Sequence, residues 1–248
     1  MIIIKNDKEI ELMRKAGKIV GETLALLQES VKPGITTGEL DRIAEEYIVK
    51  CNATPSFKGY YGFPASICTS INEEVVHGIP GEKALKEGDI ISVDCGAILN
   101  GYHGDAARTF AVGQISEEAK NLIEVTTESF FTGVKKAIVG NRLTDISSAI
   151  QEYAESRGYS VVRDFVGHGI GTKMHEDPEV PNFGRPGRGP KLIKGMVLAI
   201  EPMINIGEFY VRVQSNDWTV VTKDGTLSAH YENTVAILDN GPEILTLI

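Results

Sequence analysis

Polar and apolar positions along the first fifty residues follow a helical period. Over residues 7–29 the apolar side chains fall on one stripe, which consists of Ile10, Met13, Val20, Leu24 and Leu27. Asn6 and Glu9 have the spacing of a capping box at the start of this predicted helix. After a Pro-Gly break, Thr36 and Glu39 repeat the capping pattern and predict a second helix.

A second pair of helices is predicted after a strand-rich stretch that extends to about Val112. Ser116 is the expected N-cap of the third helix, which Gly140 is expected to end. The predicted apolar face of this helix consists of Ile123, Phe130, Val134 and Ile138. Thr144 is expected to open a fourth helix that Gly158 closes, and further strands follow.

The repeated order of two helices and then strands predicts the fold class. We expect one α+β domain over residues 1–248, with two pseudo-symmetric halves, roughly 1–112 and 113–248. The halves would share one cleft and a curved, mostly antiparallel sheet with the helices packed on its outer face. No Ser/Gly-rich linker separates them.

Composition and charge exclude several classes of function. The 248 residues carry a formal net charge of −9, which argues against nucleic-acid binding, and 42% are apolar, which is enough for a sizeable core. Cys51, Cys68 and Cys95 have no CxxC spacing, so a zinc finger or disulfide framework is disfavoured and a reducing compartment is expected. Because no apolar run suits a signal peptide or a membrane span, we expect a soluble cytoplasmic protein.

Two acidic residues interrupt a predicted β-hairpin. Residues 88–97 and 102–112 are strand-like, and a turn at Leu99-Asn100-Gly101 joins them. Asp94 and Asp105 lie about equally far from the turn, so we expect cross-strand neighbours with Cβ atoms roughly 5 Å apart. Two ionised carboxylates at that distance repel one another, and a divalent cation between them removes the conflict. The simpler interpretation is that one acid is a solvated turn residue.

Three further residues extend this acidic pair. Glu201 ends the apolar segment 195–200, and Glu232 directly precedes the apolar segment 233–237. His168 has glycines on both sides, which permit close approach of a ligand. Singly, such residues are most often surface acids or a packed histidine. Together, four carboxylates and one imidazole form an oxygen-rich set that suits two divalent cations able to activate water.

The remaining histidines have weaker signals. His77 and His175 stand at strand-to-loop boundaries, where an ordinary loop histidine and a site residue are equally supported. His103 and His230 share strand faces with Asp105 and Glu232, so each is a candidate to hydrogen-bond a ligating carboxylate. The Gly-His-Gly-Ile-Gly run is not a phosphate loop, since it lacks the Lys and Ser/Thr of a P-loop and its βαβ context.

At these positions the sequence resembles the type I methionine aminopeptidases of metallopeptidase family M24. The resemblance covers nearly the whole chain and is carried by Ile71-Asn72, His77-Gly78-Ile79-Pro80, Val93-Asp94, His103-Gly104-Asp105, Gly167-His168-Gly169-Ile170-Gly171, Glu201-Pro202-Met203 and Ser228-Ala229-His230-Tyr231-Glu232. It implies the pseudo-two-fold pita-bread fold in its minimal bacterial form, without a zinc-finger extension or the long insert of type II members.

The resemblance implies excision of the N-terminal methionine from nascent proteins and peptides, with a small second residue preferred. Two divalent ions (Co, Mn or Fe) would be held by Asp94, Asp105, His168, Glu201 and Glu232. A metal-bridged hydroxide would attack the scissile carbonyl, and Glu201 would be the general acid/base. His175 would stabilise the oxyanion, and His77 would contact the scissile amide or the leaving nitrogen.

The resemblance also implies a substrate pocket and a monovalent cation. Besides His77 and His175, the pocket would be lined by Phe57, Tyr60, Phe63, Cys68, Met174, Met203 and Trp218, for any of which core packing is the alternative. Some relatives carry Cys where this chain has Phe57. A Na or K ion would bind near Asn72, Glu74 and Ser228. The expected state is a monomer with transient ribosome contact and no nucleic-acid or membrane binding.

Two other functions fit the same features. An Xaa-Pro aminopeptidase or prolidase has the same fold, but such enzymes usually carry a separate N-terminal domain for which this chain has no room. A non-catalytic pita-bread module that binds peptides would have lost metal ligands, whereas all five positions are filled here.

Overall fold

This computed structural model describes residues 1–247. They form four α-helices and fifteen strands, which turns and loops connect. Ile248, the last residue of the predicted domain, lies outside this range. The helices are α1 (Asp7–Ser30), α2 (Thr37–Lys50), α3 (Glu117–Val134) and α4 (Leu143–Glu155), and a 3-10 turn covers Tyr60–Gly62. The strands before α3 are β1 (Thr54–Pro55), β2 (Ile67–Ile71), β3 (Glu74–Val76), β4 (Ile90–Leu99) and β5 (Tyr102–Ala111). Those after α4 are β6 (Ser160–Val161), β7 (Gly167–Gly169), β8 (Glu176–Val180), β9 (Val197–Ile200), β10 (Met203–Asn205), β11 (Val211–Val213), β12 (Val220–Thr222), β13 (Ser228–His230), β14 (Asn233–Leu238) and β15 (Gly241–Ile244).

Hydrogen bonds confirm the predicted starts of the first three helices. The Asn6 side chain accepts N–H groups of the first turn of α1, while the Glu9 carboxylate accepts the Asn6 N–H. Thr36 and Glu39 form the same reciprocal box at α2. The Ser116 hydroxyl accepts the N–H three residues further on at α3. Each cap satisfies N–H groups that have no partner inside the helix.

The third helix is shorter than predicted. It ends at Val134 rather than at Gly140, because the chain passes into tight turns in which the Ala137 N–H bonds to the Val134 carbonyl. Ile138, which was assigned to the apolar face, is 41% exposed, whereas Ala137 is buried. The prediction was wrong here because a helix end depends on where the following segment must go.

The fourth helix begins at Leu143, one residue before the expected opening at Thr144. The Asp145 carboxylate accepts the Arg142 N–H and so stabilises the first turn at that point. The Thr144 hydroxyl instead hydrogen-bonds to the backbone carbonyl and N–H of Arg188, which ties the start of the helix to the loop before β9.

Every strand pairing within residues 1–247 is antiparallel, although hydrogen bonds divide the strands into four sheets rather than the one expected. In the first half, β4 pairs with β5 along one edge and with β1 and β2 along the other. In the second half the order is β15-β14-β9-β7-β8. Two small sheets, β13-β10-β6 and β11-β12-β3, complete the set, and register shifts in β7 and β12 interrupt the ladders.

Each half has its own hydrophobic core between a helix pair and a large sheet. In the first half, Leu27 of α1 and Leu40 of α2 pack with Ile91 of β4. In the second half, Phe130 of α3 and Ile150 of α4 pack with the strands β9 and β14. Full burial stabilises the fold by about 1.5–3 kcal/mol for each such side chain, which holds the helices on one face of the sheets. Among the helices of residues 1–247, none has the length and apolar character needed to cross a bilayer.

Hydrogen bonds between β5 and residues 230–234 join the two halves. The Thr109 hydroxyl donates to the His230 carbonyl and accepts the His230 N–H, both at 2.9 Å. Ala107 and Glu232 exchange backbone hydrogen bonds of 3.3 and 3.0 Å. The hairpin of the first half is therefore continued by backbone of the second half.

Candidate metal centre and substrate cavity

Strand alternation turns the acids of the β4–β5 hairpin away from the core. Val93 and Cys95 of β4 pack into the core of the first half, so Asp94 between them faces the opposite side. The turn is the expected one, since Asn100 and Gly101 have φ of 52° and 82°. Two successive positive φ angles are typical of the type I′ turn, which holds the strands in register.

Asp94 and Asp105 are diagonal neighbours rather than directly opposite. Asp94 pairs with Ala107, and Asp105 pairs with Gly96. The prediction of a direct pair was wrong because the two-residue turn lies nearer to Asp105 than to Asp94. Residues two apart on a strand share a face, so the two carboxyl groups project to the same side, where both line one cavity.

The second half adds Glu232 to this face. Because Ala107 pairs with Asp94 on one side and with Glu232 on the other, the three residues form one row across the strands. The methyl group of Ala107 leaves space between the two acids. Thr234 holds the neighbouring position, since its hydroxyl accepts the Asp105 N–H at 3.0 Å and donates to the Asp105 carbonyl at 2.9 Å.

Glu201 and His168 complete the predicted set. Glu201 directly follows the last residue of β9, and His168 is the central residue of β7 beside that strand. His168 Nε2 lies 3.8 Å from Asp105 Oδ2 and 3.7 Å from Glu201 Oε1. Its Nδ1–H donates to the Gly169 carbonyl at 2.9 Å, which leaves Nε2 free as a metal donor.

Enclosure perturbs the ionisation of all five groups. Burial raises the pKa of Asp94 to about 7. Burial, with added repulsion from neighbouring carboxylates, raises the pKa values of Asp105, Glu201 and Glu232 well above their usual range. Burial lowers the pKa of His168 to about 3. The site therefore disfavours both uncompensated negative charge and a protonated imidazole.

The carboxylate set fits divalent cations. Within residues 1–247, Asp94 Oδ1, Asp105 Oδ1 and Glu232 Oε1 are buried without a hydrogen-bond partner. No Lys or Arg side chain in the same range forms an ion pair with these acids. Ligand atoms of Asp105, His168 and Glu232 lie within 4.8 Å of one another. Buried acids of this kind require protons or cations, and oxygen donors with one imidazole suit hard or borderline divalent metals.

His230 lies beside the same acids. It is 1% exposed, and its Nε2 is 3.7 Å from Glu201 Oε2 and 3.8 Å from Glu232 Oε2. Neither ring nitrogen has a hydrogen-bond partner among residues 1–247. The sequence supported His103 equally, but its Nδ1 lies 2.8 Å from the Ser56 hydroxyl, and it makes no comparable approach to the acids. Of these two histidines, it is therefore His230 that lies beside the carboxylates.

A cavity of about 290 Å³ opens next to the acids. Phe57, Phe63, Cys68 and Met174 form an apolar cluster along it, and the Phe63 and Trp218 rings meet edge-to-face at 5.0 Å. Its lining residues are Phe57, Tyr60, Tyr61, Phe63, Cys68, His77, Asp94, Asp105, His168, Met174, His175, Glu201, Trp218 and Glu232. Tyr61 is not among the predicted pocket residues, and no sequence pattern around it distinguishes it from an ordinary exposed loop residue.

Met203, which was assigned to the pocket, does not line the cavity. It is fully buried in a separate apolar cluster with Val75, Val76, Val162, Val211 and Val220 and the partly buried Phe165. Side chains alternate along β10, so Met203 packs into this cluster while Ile204 packs against α3. Core packing, the alternative interpretation, is correct for this residue.

The two loop histidines line the cavity from separate segments of the chain. His77 directly follows β3 with a φ of 60°, and its ring meets Phe165 edge-to-face at 5.6 Å. Burial lowers its pKa to about 4. His175 precedes β8, its Nδ1 is 2.8 Å from the Tyr60 hydroxyl, and its ring centroid is 4.2 Å from that of His168. Both imidazoles therefore border the space beside the acids.

The residues expected near a monovalent cation lie close together. Asn72 has a φ of 57°, and its carbonyl accepts the Ser228 N–H at 2.9 Å. Glu74 accepts the Ile71 N–H at 2.7 Å and pairs with Lys83 at 3.1 Å. These contacts bring the start of β3 beside the start of β13.

A carboxylate-rich cleft of this kind, with imidazoles beside an apolar cavity, is typical of divalent-metal hydrolases. Residues 11–239 match the model of metallopeptidase family M24, and the chain belongs to this family. It is similar to a methionine aminopeptidase of Clostridium acetobutylicum, with 76% identity over 248 residues, 100% of this chain and 99% of the relative.

Solved structures agree with this family. A methionine aminopeptidase from Thermotoga maritima superposes with a TM-score of 0.99 at 48% identity, over 100% of both chains. A prolidase from Pyrococcus furiosus superposes with a TM-score of 0.80 at 25% identity, over 99% of this chain and 66% of that one. The predicted pita-bread fold, with its mixture of helices and antiparallel sheets, is confirmed.

Proposed function

We propose that this protein is a methionine aminopeptidase that removes the first residue from peptides and nascent proteins and prefers a small second residue. The observation that carries the proposal is the convergence of four carboxylates and His168 beside a cavity lined by aromatic and sulfur-containing side chains. The high identity to proteins named methionine aminopeptidase supports it. Membership of family M24 implies dependence on divalent metal ions.

The five converging residues would hold two divalent ions, of which Co(II), Mn(II) and Fe(II) suit this donor set. They are Asp94, Asp105, His168, Glu201 and Glu232. When bound, such ions supply Lewis acidity that polarises a carbonyl group and activates water. The orphaned buried oxygens of Asp94, Asp105 and Glu232 support this assignment, because a cation would supply the partner that each lacks.

Glu201 is the general acid/base in this proposal. Its side chain lies between two imidazoles, with Oε1 towards His168 and Oε2 towards His230. It accepts a proton from the attacking water and delivers that proton to the leaving nitrogen. A carboxyl whose pKa is raised by burial is better matched to this task near neutral pH than an exposed glutamate.

His175 and His77 act on the substrate amide. Nδ1 of His175 lies 2.8 Å from the Tyr60 hydroxyl, and in this proposal the hydroxyl is the donor. The neutral imidazole then carries its proton on Nε2 and can donate it to the developing oxyanion. His77, which also lines the cavity, contacts the leaving nitrogen. The apolar walls around Phe57, Cys68 and Met174 suit a flexible thioether side chain.

Several broader features belong to the same proposal. The two halves, roughly 1–112 and 113–248, act as one catalytic domain, which the hydrogen bonds between β5 and residues 230–234 support. Asn72, Glu74 and Ser228 would hold a Na or K ion. The protein works as a cytoplasmic monomer that contacts the ribosome transiently, where nascent chains emerge.

The proposal is tested by initial rates on Met-Gly-Met as a function of added Co(II), Mn(II) or Fe(II). We expect metal-dependent cleavage by the wild type and a loss of about 10²- to 10⁴-fold in kcat for Glu201→Gln, which removes the proton carrier. Glu124→Gln, on the exposed face of α3, is the matched control and should behave as wild type. A metal-loaded wild type without activity on this peptide would overturn the proposal.

The same assay separates the alternatives. Faster cleavage of an Ala-Pro peptide than of Met-Gly-Met would identify an Xaa-Pro aminopeptidase or prolidase. Peptide binding without cleavage, in a protein that retains no divalent metal after purification and reloading, would identify a non-catalytic module.

A further inference from the structure

A buried ion pair lies directly behind the loop that carries Met174 and His175. Lys5 Nζ is 2.5 Å from Glu176 Oε2, and both side chains are 2% exposed. Lysine and glutamate are almost never fully buried, and taking both charges out of water is costly unless further hydrogen bonds surround them. A pair at this depth is therefore weak as a source of stability and is suited to fixing a geometry.

Further hydrogen bonds hold both members of the pair. Lys5 Nζ also donates to the Ile3 carbonyl at 3.2 Å, and the Lys5 N–H donates to the Gly195 carbonyl at 2.8 Å. On the other side, Glu176 Oε1 accepts the Lys173 N–H at 3.2 Å. One carboxylate thus connects the segment before α1 to both ends of the loop 173–176.

Two glycines make room for the lysine. A Cβ atom on Gly171 would lie 2.5 Å from Lys5 Cε and 2.6 Å from Glu176 Oε1. A Cβ atom on Gly195 would lie 2.4 Å from the Lys5 carbonyl oxygen. At Gly195 the contact is with the Lys5 backbone and leaves no space for a side chain, whereas at Gly171 the ends of the Lys5 and Glu176 side chains pack directly over the glycine.

The loop anchored in this way supplies two walls of the cavity. Met174 is 3% exposed in the apolar cluster, and the His175 imidazole borders the cavity with Nδ1 bonded to Tyr60. Glu176 is the next residue along the chain and the first of β8. The place of the His175 imidazole therefore depends on where the backbone at residue 176 is held.

We propose that Lys5 is a positioning residue for His175, acting through its buried ion pair with Glu176. The inference rests on the proposed function, because that function assigns His175 to the developing oxyanion. A donor that stabilises a transition state must be placed within a fraction of an ångström, so loosening the loop lowers turnover. Met174 on the same loop is also held by its apolar cluster with Phe57, Phe63 and Cys68, so binding of the methionine side chain persists.

Lys5→Met tests this inference, since it removes the ammonium group and keeps most of the side-chain volume. We expect kcat on Met-Gly-Met to fall about 10- to 100-fold, with KM and the affinity for Mn(II) changed less than about twofold. Lys194→Met is the matched control, because it removes a lysine from an exposed pair with Asp239 at 2.8 Å. Its kinetics should equal those of the wild type.

A double-mutant cycle separates positioning from a merely structural effect. If Lys5 acts through His175, Lys5→Met should lower kcat no further once His175→Ala is present. Multiplicative losses in the double variant would overturn the inference, as would an unchanged kcat in Lys5→Met. If Lys5→Met does not fold, Glu176→Gln, which alters the other member of the ion pair, replaces it in the same double-mutant cycle with His175→Ala. A wild type inactive on Met-Gly-Met would reject the proposed function itself, whereas multiplicative losses in an active enzyme reject only the role of Lys5.

Discussion

Phe57 shows how a single residue shapes the cavity. Its ring fills the space that a side chain at position 96 would take, since a Cβ atom on Gly96 would lie 2.9 Å from Phe57 Cε1. Gly96 pairs with Asp105 in the hairpin, so the aromatic ring reaches up to the acids. The glycine and the ring act as one unit that closes this end of the cavity.

Phe57→Ala should therefore enlarge the cavity. We expect the ratio of kcat/KM for Phe-Gly-Met to that for Met-Gly-Met to rise, because the space vacated by one ring accommodates another. The same change should lower the free energy of unfolding by about 3 kcal/mol, since Phe57 is only 7% exposed. Peptide kinetics and urea denaturation measure the two effects.

Tyr61→Ala is the control for Phe57→Ala. Tyr61 also lines the cavity, but it is 87% exposed at the rim, so its removal opens no internal space. The ratio of the two kcat/KM values and the stability should both stay near the wild-type values. If Phe57→Ala does not change the ratio of kcat/KM for Phe-Gly-Met to that for Met-Gly-Met, then Phe57 does not limit the size of the first substrate residue.

At the scale of elements, the sequence predicts features that depend on adjacent residues and does not predict features that depend on tertiary packing. The cap at Asn6 and the turn at Asn100-Gly101 each depend on a few adjacent residues, so spacing alone located them. The end of α3 and the diagonal register of Asp94 depend on how distant segments pack. The hydrogen bonds that join β5 to residues 230–234 could not be predicted from sequence. The hydroxyls of Thr109 and Thr234 take the place of backbone partners there, and a threonine in a strand has the same sequence signal whether or not it does so.

Thr234→Val tests that join. The change removes the hydroxyl that satisfies both the N–H and the carbonyl of Asp105 and leaves two buried groups without partners. We expect the free energy of unfolding of the metal-free protein to fall by about 2–3 kcal/mol. Because Asp105 is a proposed metal ligand, the affinity for Mn(II), measured by calorimetric titration, should also fall.

Thr126→Val is the matched control for Thr234→Val. Thr126 is 1% exposed, and its hydroxyl donates only to the Leu122 carbonyl one helical turn away, at 2.7 Å. That carbonyl keeps its helical partner, so the loss of stability should be smaller and the affinity for Mn(II) unchanged. Equal losses of metal affinity in the two variants would refute a special role for the join.

At the scale of the whole molecule, neither half contains a complete site. Asp94 and Asp105 come from the first half, and His168, Glu201 and Glu232 from the second. These positions were recognisable from sequence because a carboxylate in an apolar strand needs a partner. The pocket residues followed from the family resemblance and not from a residue pattern, since an apolar side chain such as Met203 has the same sequence signal whether it lines a cavity or packs in a core.

The gathered acids link the stability of the metal-free protein to pH. Burial raises the pKa of Asp94 to about 7 and the pKa values of Asp105, Glu201 and Glu232 further above their usual range. The folded state thus keeps protons that unfolded chains release near pH ~4, and stability falls as pH rises through the folded-state values. Burial lowers the pKa values of all five histidines, to about 3 for His168 and His230 and to about 4 for His77, which has the opposite effect. That effect fades above about pH 6.5, where unfolded histidine loses its proton, and is small above about pH 7.5.

Above about pH 7 the acids therefore dominate, and between about pH 7 and pH 8 the stability of EDTA-treated protein should fall by up to about 1.4 kcal/mol per pH unit for each carboxyl group that still holds its proton. With saturating Mn(II) the trend should reverse, because protons compete with the cation for the same oxygens and are displaced more easily as pH rises. Urea denaturation across this range, with EDTA or Mn(II), measures both slopes.

Asp94→Asn should flatten the metal-free slope, since an amide holds no titrating proton, whereas Asp239→Asn on the exposed surface should leave it unchanged. A metal-free stability that stays level or rises with pH would mean that the four acids are already neutralised by something other than protons or divalent cations.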